Sequence, residues 1–168
     1  VRKSYLENSW VSFLKACTAS LGARQGSKGA VALALLVNGM PFCFISCHLP
    51  AKSLEQRKQA FEALTEMIGR EMTDKGSFVS FDLKAHFHQI IWMGDLNYRV
   101  GNITMDETLK YLRNDDVKTL FTKHDELLKD KKKDVFYGFE EPRMVPTFYP
   151  TYKKLETRDP PKMGHKGW

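Results

Sequence analysis

No stretch of the chain stays apolar for the roughly 18 residues that a membrane-spanning helix needs. The first residues, Val1-Arg2-Lys3-Ser4-Tyr5, offer neither an initiator methionine nor the apolar core of a secretory signal. The opening valine points to processing or truncation. Cysteine is scarce: Cys17, Cys43 and Cys47 are odd in number and fall in neither a disulfide framework nor a zinc spacing. They are expected to be thiols buried as small hydrophobes in a reducing compartment, which points to the cytoplasm. Acidic residues are also in short supply, 20 against 26 lysines and arginines, a net charge of +6. That surplus favours phosphate-bearing partners and does not choose among nucleic acid, anionic lipid and soluble polyphosphate.

What is present suffices for an ordinary core. The 168 residues match the length of one domain, and 42% of them are hydrophobic. Leu6, Trp10, Phe13 and Leu14 recur at an approximately helical spacing, so Tyr5 to about Ala19 is expected to be an amphipathic helix. The loop from Leu21 to Gly29 holds three glycines with Arg24 and Lys28. It can meet a phosphate or simply connect elements, and its spacing is not that of a P-loop.

Ala30–Val37 and Pro41–Cys47 are strand-like runs on either side of Asn38-Gly39, the strongest short signal for a tight hairpin turn. Both are apolar nearly throughout, which predicts a sheet covered on both faces. Ser53 with Gln56 opens a helix whose stripe is Leu54, Phe61, Leu64 and Ile68; a polar connection from Gly69 to Lys84 follows, with a turn at Gly76-Ser77. Thr104 with Glu107 predicts a capping box on a second helix, and Asp115-Asp116 a cap on a third that carries Val117 to Leu128. The run KDKKKD, residues 129–134, reads as a solvated helix end, with attraction to anionic lipid as the sharper alternative.

The chemistry gathers in HFHQIIWMGDLNYRV, residues 86–100. Ile90 to Met93 reads as a fully buried strand. Just past its carboxyl end stand Asp95, Asn97, Tyr98 and Arg99, where sheet enzymes keep their reactive groups. His48 emerges in the same way from the preceding strand. His86 and His88 are expected on one face of the central strand; they could ligate zinc, but with no third ligand nearby a strand-edge pair is preferred. PRMVPTFYPTYKK, residues 142–154, interleaves prolines, aromatics and cations and could hold Tyr152 and Lys153 toward a ligand.

Together, SKGAVALALLVNGMPFCFISCHLPA, HFHQIIWMGDLNYRV and PTFYPTYKK resemble three successive signature blocks of the inositol polyphosphate 5-phosphatases, matched from about residue 26 to 153 of this chain. The resemblance implies an α/β (α+β) fold, the four-layered α/β/β/α sandwich of the DNase I-like type. It implies hydrolysis of the 5-phosphate of phosphoinositide lipids or soluble inositol polyphosphates, that is, phosphatidylinositol dephosphorylation in signalling, with Mg²⁺ as cofactor. In that pattern Asp95 orients the attacking water, Asn97 contacts the scissile phosphate and His48 hydrogen-bonds its oxygens. Lys28, Tyr152 and Lys153 face the ring phosphates, and Tyr98 and Arg99 support the geometry.

Three departures qualify the match. Ser27 stands where the family has asparagine, and Pro50 where it has a small residue. The terminal blocks that carry the principal metal ligands have no counterpart, so the chain is expected to be an incomplete, internal part of a catalytic domain, close to inactive alone. Expected partners are an inositol phosphate or phosphoinositide and, peripherally, an anionic membrane, with no nucleic acid. The alternatives are a metal-dependent nuclease of the same fold and a catalytically dead phosphate-binding fragment.

Overall fold

The computed structural model describes residues 2–22, 27–73, 82–133, 135–141, 146 and 148–149, together with the backbone of 154–155 and 162–163. The chain divides into two compact units, Val1–Asn97 and Tyr98–Trp168.

The first unit is built on a four-stranded sheet in the order β1-β2-β3-β4. Strands β2 (Gly29–Val37) and β3 (Met40–His48) form the expected hairpin, register-paired from Val37 opposite Met40 to Gly29 opposite His48. Asn38 and Gly39 turn it with φ of 48° and 81°, the left-handed pair that a two-residue hairpin turn requires.

Residues 5–19 are not one helix. A short α1 (Lys3–Glu7) leads into β1 (Val11–Ser20), which lies antiparallel to β2. Leu6 belongs to α1 and Trp10 precedes β1, so the helical spacing joins residues of different elements, and a bulge between Phe13 and Lys15 breaks the alternation within the strand. Pairing with the apolar edge of β2 overrides that local period.

From β3 the chain crosses through α2 (Leu54–Met72) into β4 (Gln89–Asp95), which runs parallel to β3. Ser53 caps α2 by accepting from the Gln56 amide at 3.2 Å. The helix continues through Gly69 to Met72, four residues beyond the expected stop, and the predicted turn at Gly76-Ser77 lies outside the described residues. Phe61, Leu64 and Ile68 are buried and Leu54 is half-buried. Burying each of the first three contributes roughly 1.5–3 kcal/mol. Beneath them Ala30, Ala32 and Ala34 keep β2 flat, and the Phe61 ring meets Trp92 edge-on at 4.7 Å.

Among the described residues, α2 covers only this face of the sheet. On the opposite face, among the described residues, Val31, Leu33 and Met93 are exposed and an open cleft of about 590 Å³ runs over Ala16, Leu33 and Phe44. Among the described residues, cover is therefore seen on one of the two expected faces. The reading of Ile90–Met93 as a buried central strand is corrected: β4 is the last strand in the sheet order, and its residues are half-buried or exposed. His86 and His88 precede β4 rather than sharing its face. His86 ends a 3₁₀ turn (Leu83–Ala85), and the His88 amide donates to the Pro41 carbonyl at 2.8 Å.

The second unit is helical where it is described, with a two-residue ladder between β5 (Lys154–Leu155) and β6 (Lys162–Met163). α3 (Met105–Arg113) carries the predicted capping box: Thr104 Oγ1 accepts from the Glu107 amide and Glu107 accepts from the Thr104 amide. Glu107 is therefore held below the usual carboxylate range. The expected third helix is two. α4 (Val117–His124), capped by Asp116, stops at Asp125, and Asp125 caps α5 (Glu126–Lys131) through the Leu128 amide at 2.7 Å. Asp130, read as part of a solvated end, is buried and accepts the Tyr98 hydroxyl at 3.0 Å.

Candidate active site at the carboxyl ends of two parallel strands

The parallel register of β3 and β4 sets the site. Residue pairs run from Phe42 beside Gln89 to His48 beside Asp95, so two polar side chains separated by 47 positions in sequence end level with each other. Parallel strands place their carboxyl ends on one edge, where loops can bring further groups. His48 Nε2 stands 3.4 Å from Asp95 Oδ2. Lys28, just before β2, reaches the same nitrogen at 2.5 Å. An ammonium only donates, so His48 Nε2 accepts from Lys28 and a neutral ring carries its proton on Nδ1.

Asn97 closes the other side. Its backbone is left-handed, with φ 57°, and its amide N–H donates to Asp95 Oδ1 at 3.0 Å. Its side-chain Nδ2 donates to the Leu49 carbonyl at 2.8 Å, which leaves one carboxamide hydrogen and the carbonyl oxygen for a ligand. The Leu49 amide in turn donates to the Asp95 carbonyl at 2.9 Å. Strand ends and loops are thus tied crosswise, and Lys28, His48, Asp95 and Asn97 come together as one cluster.

Gly94 makes this approach possible. Its φ is 122°, and a Cβ there would lie 2.1 Å from the Cys47 carbonyl oxygen. The glycine before the acid is the signal that two backbones must meet closely.

The remaining predicted site residues belong to the second unit or fall outside the described residues. Arg99 belongs to the second unit, where its amide donates to Glu126 Oε2 at 3.2 Å and its carbonyl accepts from the Glu126 amide at 3.0 Å. Tyr98 supports that unit through Asp130 and stands 6.1 Å from the Phe136 ring. Tyr152 and Lys153 lie outside the described residues, as do Arg24 and Gln25 of the glycine loop.

Cys47, expected as a buried thiol, is a neighbour of the cluster. It is buried beneath the site, and Trp92 Nε1 donates to its sulfur at 3.1 Å. Burial pushes its thiol up to about 11, helped by the Asp95 charge and opposed by the Trp92 hydrogen bond; burial likewise pushes Cys43 up to about 11. At pH 8 each therefore holds on the order of a thousandth of its thiol as thiolate. In native protein a disulfide reagent is expected to label half-buried Cys17 first and to reach Cys43 and Cys47 only on denaturation. Rapid native labelling of either would contradict this placement. These groups stay protonated longer when folded than when unfolded, so their contribution to stability is lost as pH rises from about 9 to about 11.

The donor set decides what metal chemistry this cluster can support alone. A hard divalent cation takes about six oxygen ligands, carboxylates foremost. The cluster offers one carboxylate, Asp95, already engaged by Asn97, and among the described residues no group of three or more His, Cys, Asp or Glu could hold a metal ion. These residues do not by themselves fit a complete metal site.

Residues 4–162 match the model of the endonuclease/exonuclease/phosphatase family 2, and the chain belongs to that family. Within it, the chain falls with the inositol polyphosphate 5-phosphatases. It is 31% identical over 136 residues to phosphatidylinositol 3,4,5-trisphosphate 5-phosphatase 2B of Danio rerio, covering 79% of this chain and 10% of that protein. It is 30% identical over 150 residues to the type II inositol 1,4,5-trisphosphate 5-phosphatase of Mus musculus, covering 86% and 15%. The chain thus spans about a tenth to a seventh of the length of these relatives.

Among solved structures, the inositol polyphosphate 5-phosphatase domain of SPsynaptojanin, in complex with inositol (1,4)-bisphosphate and calcium ion, superposes with a TM-score of 0.70 at 21% identity. The match covers 96% of this chain and 46% of that one. Cimex nitrophorin, as a ferrous NO complex, matches with a TM-score of 0.65 at 18% identity over 99% of this chain and 54% of its own. The α+β fold is therefore of the DNase I-like type. Since the same fold carries a nitrophorin, the activity has to be argued from the site.

Proposed function

We propose that the protein carrying this chain removes the 5-phosphate of phosphoinositide lipids or soluble inositol polyphosphates. The observation that supports it best is the cluster Lys28–His48–Asp95–Asn97, held at the ends of β3 and β4 in a chain related to inositol 5-phosphatases. Hydrolysis of a phosphomonoester needs a positioned water and donors aimed at the oxygens where negative charge gathers. Asp95 supplies the carboxylate that orients the water. The Nδ1–H of His48, the free carboxamide hydrogen of Asn97 and the Lys28 ammonium supply donors.

Tyr152, Lys153 and Arg99 are proposed to bind the substrate's other phosphates. Magnesium is the proposed metal, with its principal ligands outside this cluster. A cytoplasmic location with peripheral contact to anionic membrane accords with the thiols and the net charge of +6. The competing reading is a nuclease of the same family, and two assays separate them. Phosphate release from phosphatidylinositol 4,5-bisphosphate, abolished by chelation and restored by Mg²⁺, is expected without nicking of plasmid DNA. Nicking without phosphate release would overturn the proposal.

A further inference from the structure

The last register pair of β3 and β4 carries the two side chains that the site needs level, His48 and Asp95. Among the described residues β4 is paired on one side only, and Gly94, one residue before the acid, leaves the extended conformation with φ 122°. One side chain spans the two strands there. Trp92 stands beside Ile45 in the register, yet its indole Nε1–H donates to Cys47 Sγ at 3.1 Å, and Cys47 is the register partner of Gly94. The ring therefore reaches along the strand pair toward its carboxyl end and bonds the residue that immediately precedes His48. Phe61 of α2 meets the same ring edge-on at 4.7 Å, so the indole is held from the helix layer as well. Cys47 is buried, and the Asp95 charge helps to raise its thiol, which sets the sulfur within electrostatic reach of the acid.

We propose that Trp92 is a positioning residue: its N–H ties β4 to β3 one residue below the His48–Asp95 pair and keeps imidazole and carboxylate at their 3.4 Å separation. An indole N–H only donates, and a stiff ring clamped by Phe61 leaves it one direction in which to do so. The strand ends are thereby fixed side by side. The contacts of Lys28 with His48 and of the Asn97 amide with Asp95 both depend on that spacing. Groups aimed at a reacting phosphate lose most of their effect when displaced by a fraction of their bond length, and the loss is felt in the transition state. Trp92 itself need touch neither substrate nor water. Its effect on turnover rests on the phosphatase reading, whereas its effect on the His48 ring does not.

The test compares wild type with Trp92→Phe, Cys47→Ala, Cys47→Ser and Ile68→Val in the protein carrying this chain. Trp92→Phe keeps an aromatic ring and removes the donor; Cys47→Ala removes the acceptor. On a water-soluble inositol phosphate each is expected to lower kcat about five-fold with KM within about two-fold, the effect that the net worth of one hydrogen bond carries. Both losses come from one bond, so the double variant should lose no more than the larger single one. Cys47→Ser should stay within about two-fold of wild type, because its hydroxyl accepts the same N–H. Ile68→Val trims the buried side of α2 without touching the bond; it should lower the thermal transition and leave kcat within about two-fold. Unchanged kcat in Trp92→Phe, losses that multiply in the double variant, or an equal loss in Ile68→Val would each overturn the inference. The ring-nitrogen resonances of His48 are read beside activity and should move in Trp92→Phe and Cys47→Ala but not in Ile68→Val. If wild type releases no phosphate while these resonances move as expected, the phosphatase reading falls and the positioning role stands. If they do not move, the role itself falls.

Discussion

Replacing Gly94 by alanine is expected to destabilise the sheet unit by about 3–5 kcal/mol, enough to unfold it at ordinary temperature if its stability is average. Two costs add. The backbone at φ 122° lies in a region that side-chain-bearing residues rarely adopt, worth about 1–3 kcal/mol. The new Cβ would also stand 2.1 Å from the Cys47 carbonyl oxygen and 2.6 Å from its nitrogen, so β3 and β4 must separate where they are hydrogen-bonded. The obstacle is backbone, which no rotamer change relieves. Chemical denaturation of Gly94→Ala beside the parent measures the loss. A change below about 1 kcal/mol would mean that the two strand ends do not meet as closely as described.

The hairpin, the capped start of α2 and the capping box on α3 were legible because each rests on local chemistry. Asn38-Gly39 supplies left-handed φ values, and Ser53 and Thr104 each offer an oxygen three residues before the amide it serves. What misled was anything decided by distant partners. The helix-like spacing of Leu6, Trp10, Phe13 and Leu14 runs across α1 and the start of β1, and only pairing with β2 reveals the strand. The apolar pattern of β2 and β3 predicts cover on both faces, yet among the described residues α2 lies on one face and leaves Val31 and Leu33 exposed on the other. Apolar content reports that a face can be buried, not what buries it.

For the candidate site, sequence motifs named Asp95, Asn97, His48 and Lys28, and the structure brings all four together. Their order in space was not readable, because the parallel register that sets His48 beside Asp95 spans the whole of α2. Nor was the anchoring of Asn97 on the Leu49 carbonyl, which turns half of a presumed phosphate donor into a positioning contact. Arg99, four residues beyond Asp95 in sequence, instead bonds through its backbone to Glu126 in the second unit, beside the bridge between Val100 and Asp125.

Asp95→Asn is expected to lower turnover by about a hundred- to ten-thousand-fold, the range for removing a group that handles a proton in the transition state. Asparagine keeps the size of the side chain and an oxygen for the Asn97 amide, so the cluster should persist while the carboxylate is lost. The loss should therefore fall on kcat, with the affinity for inositol phosphate little changed. The measurement is phosphate release from soluble inositol 1,4,5-trisphosphate by the protein carrying this chain, wild type beside Asp95→Asn, with the remaining inositol phosphate identified. The account predicts release of the 5-phosphate by wild type and its near loss in the variant. Equal release by the two proteins, or release from another ring position, would contradict it.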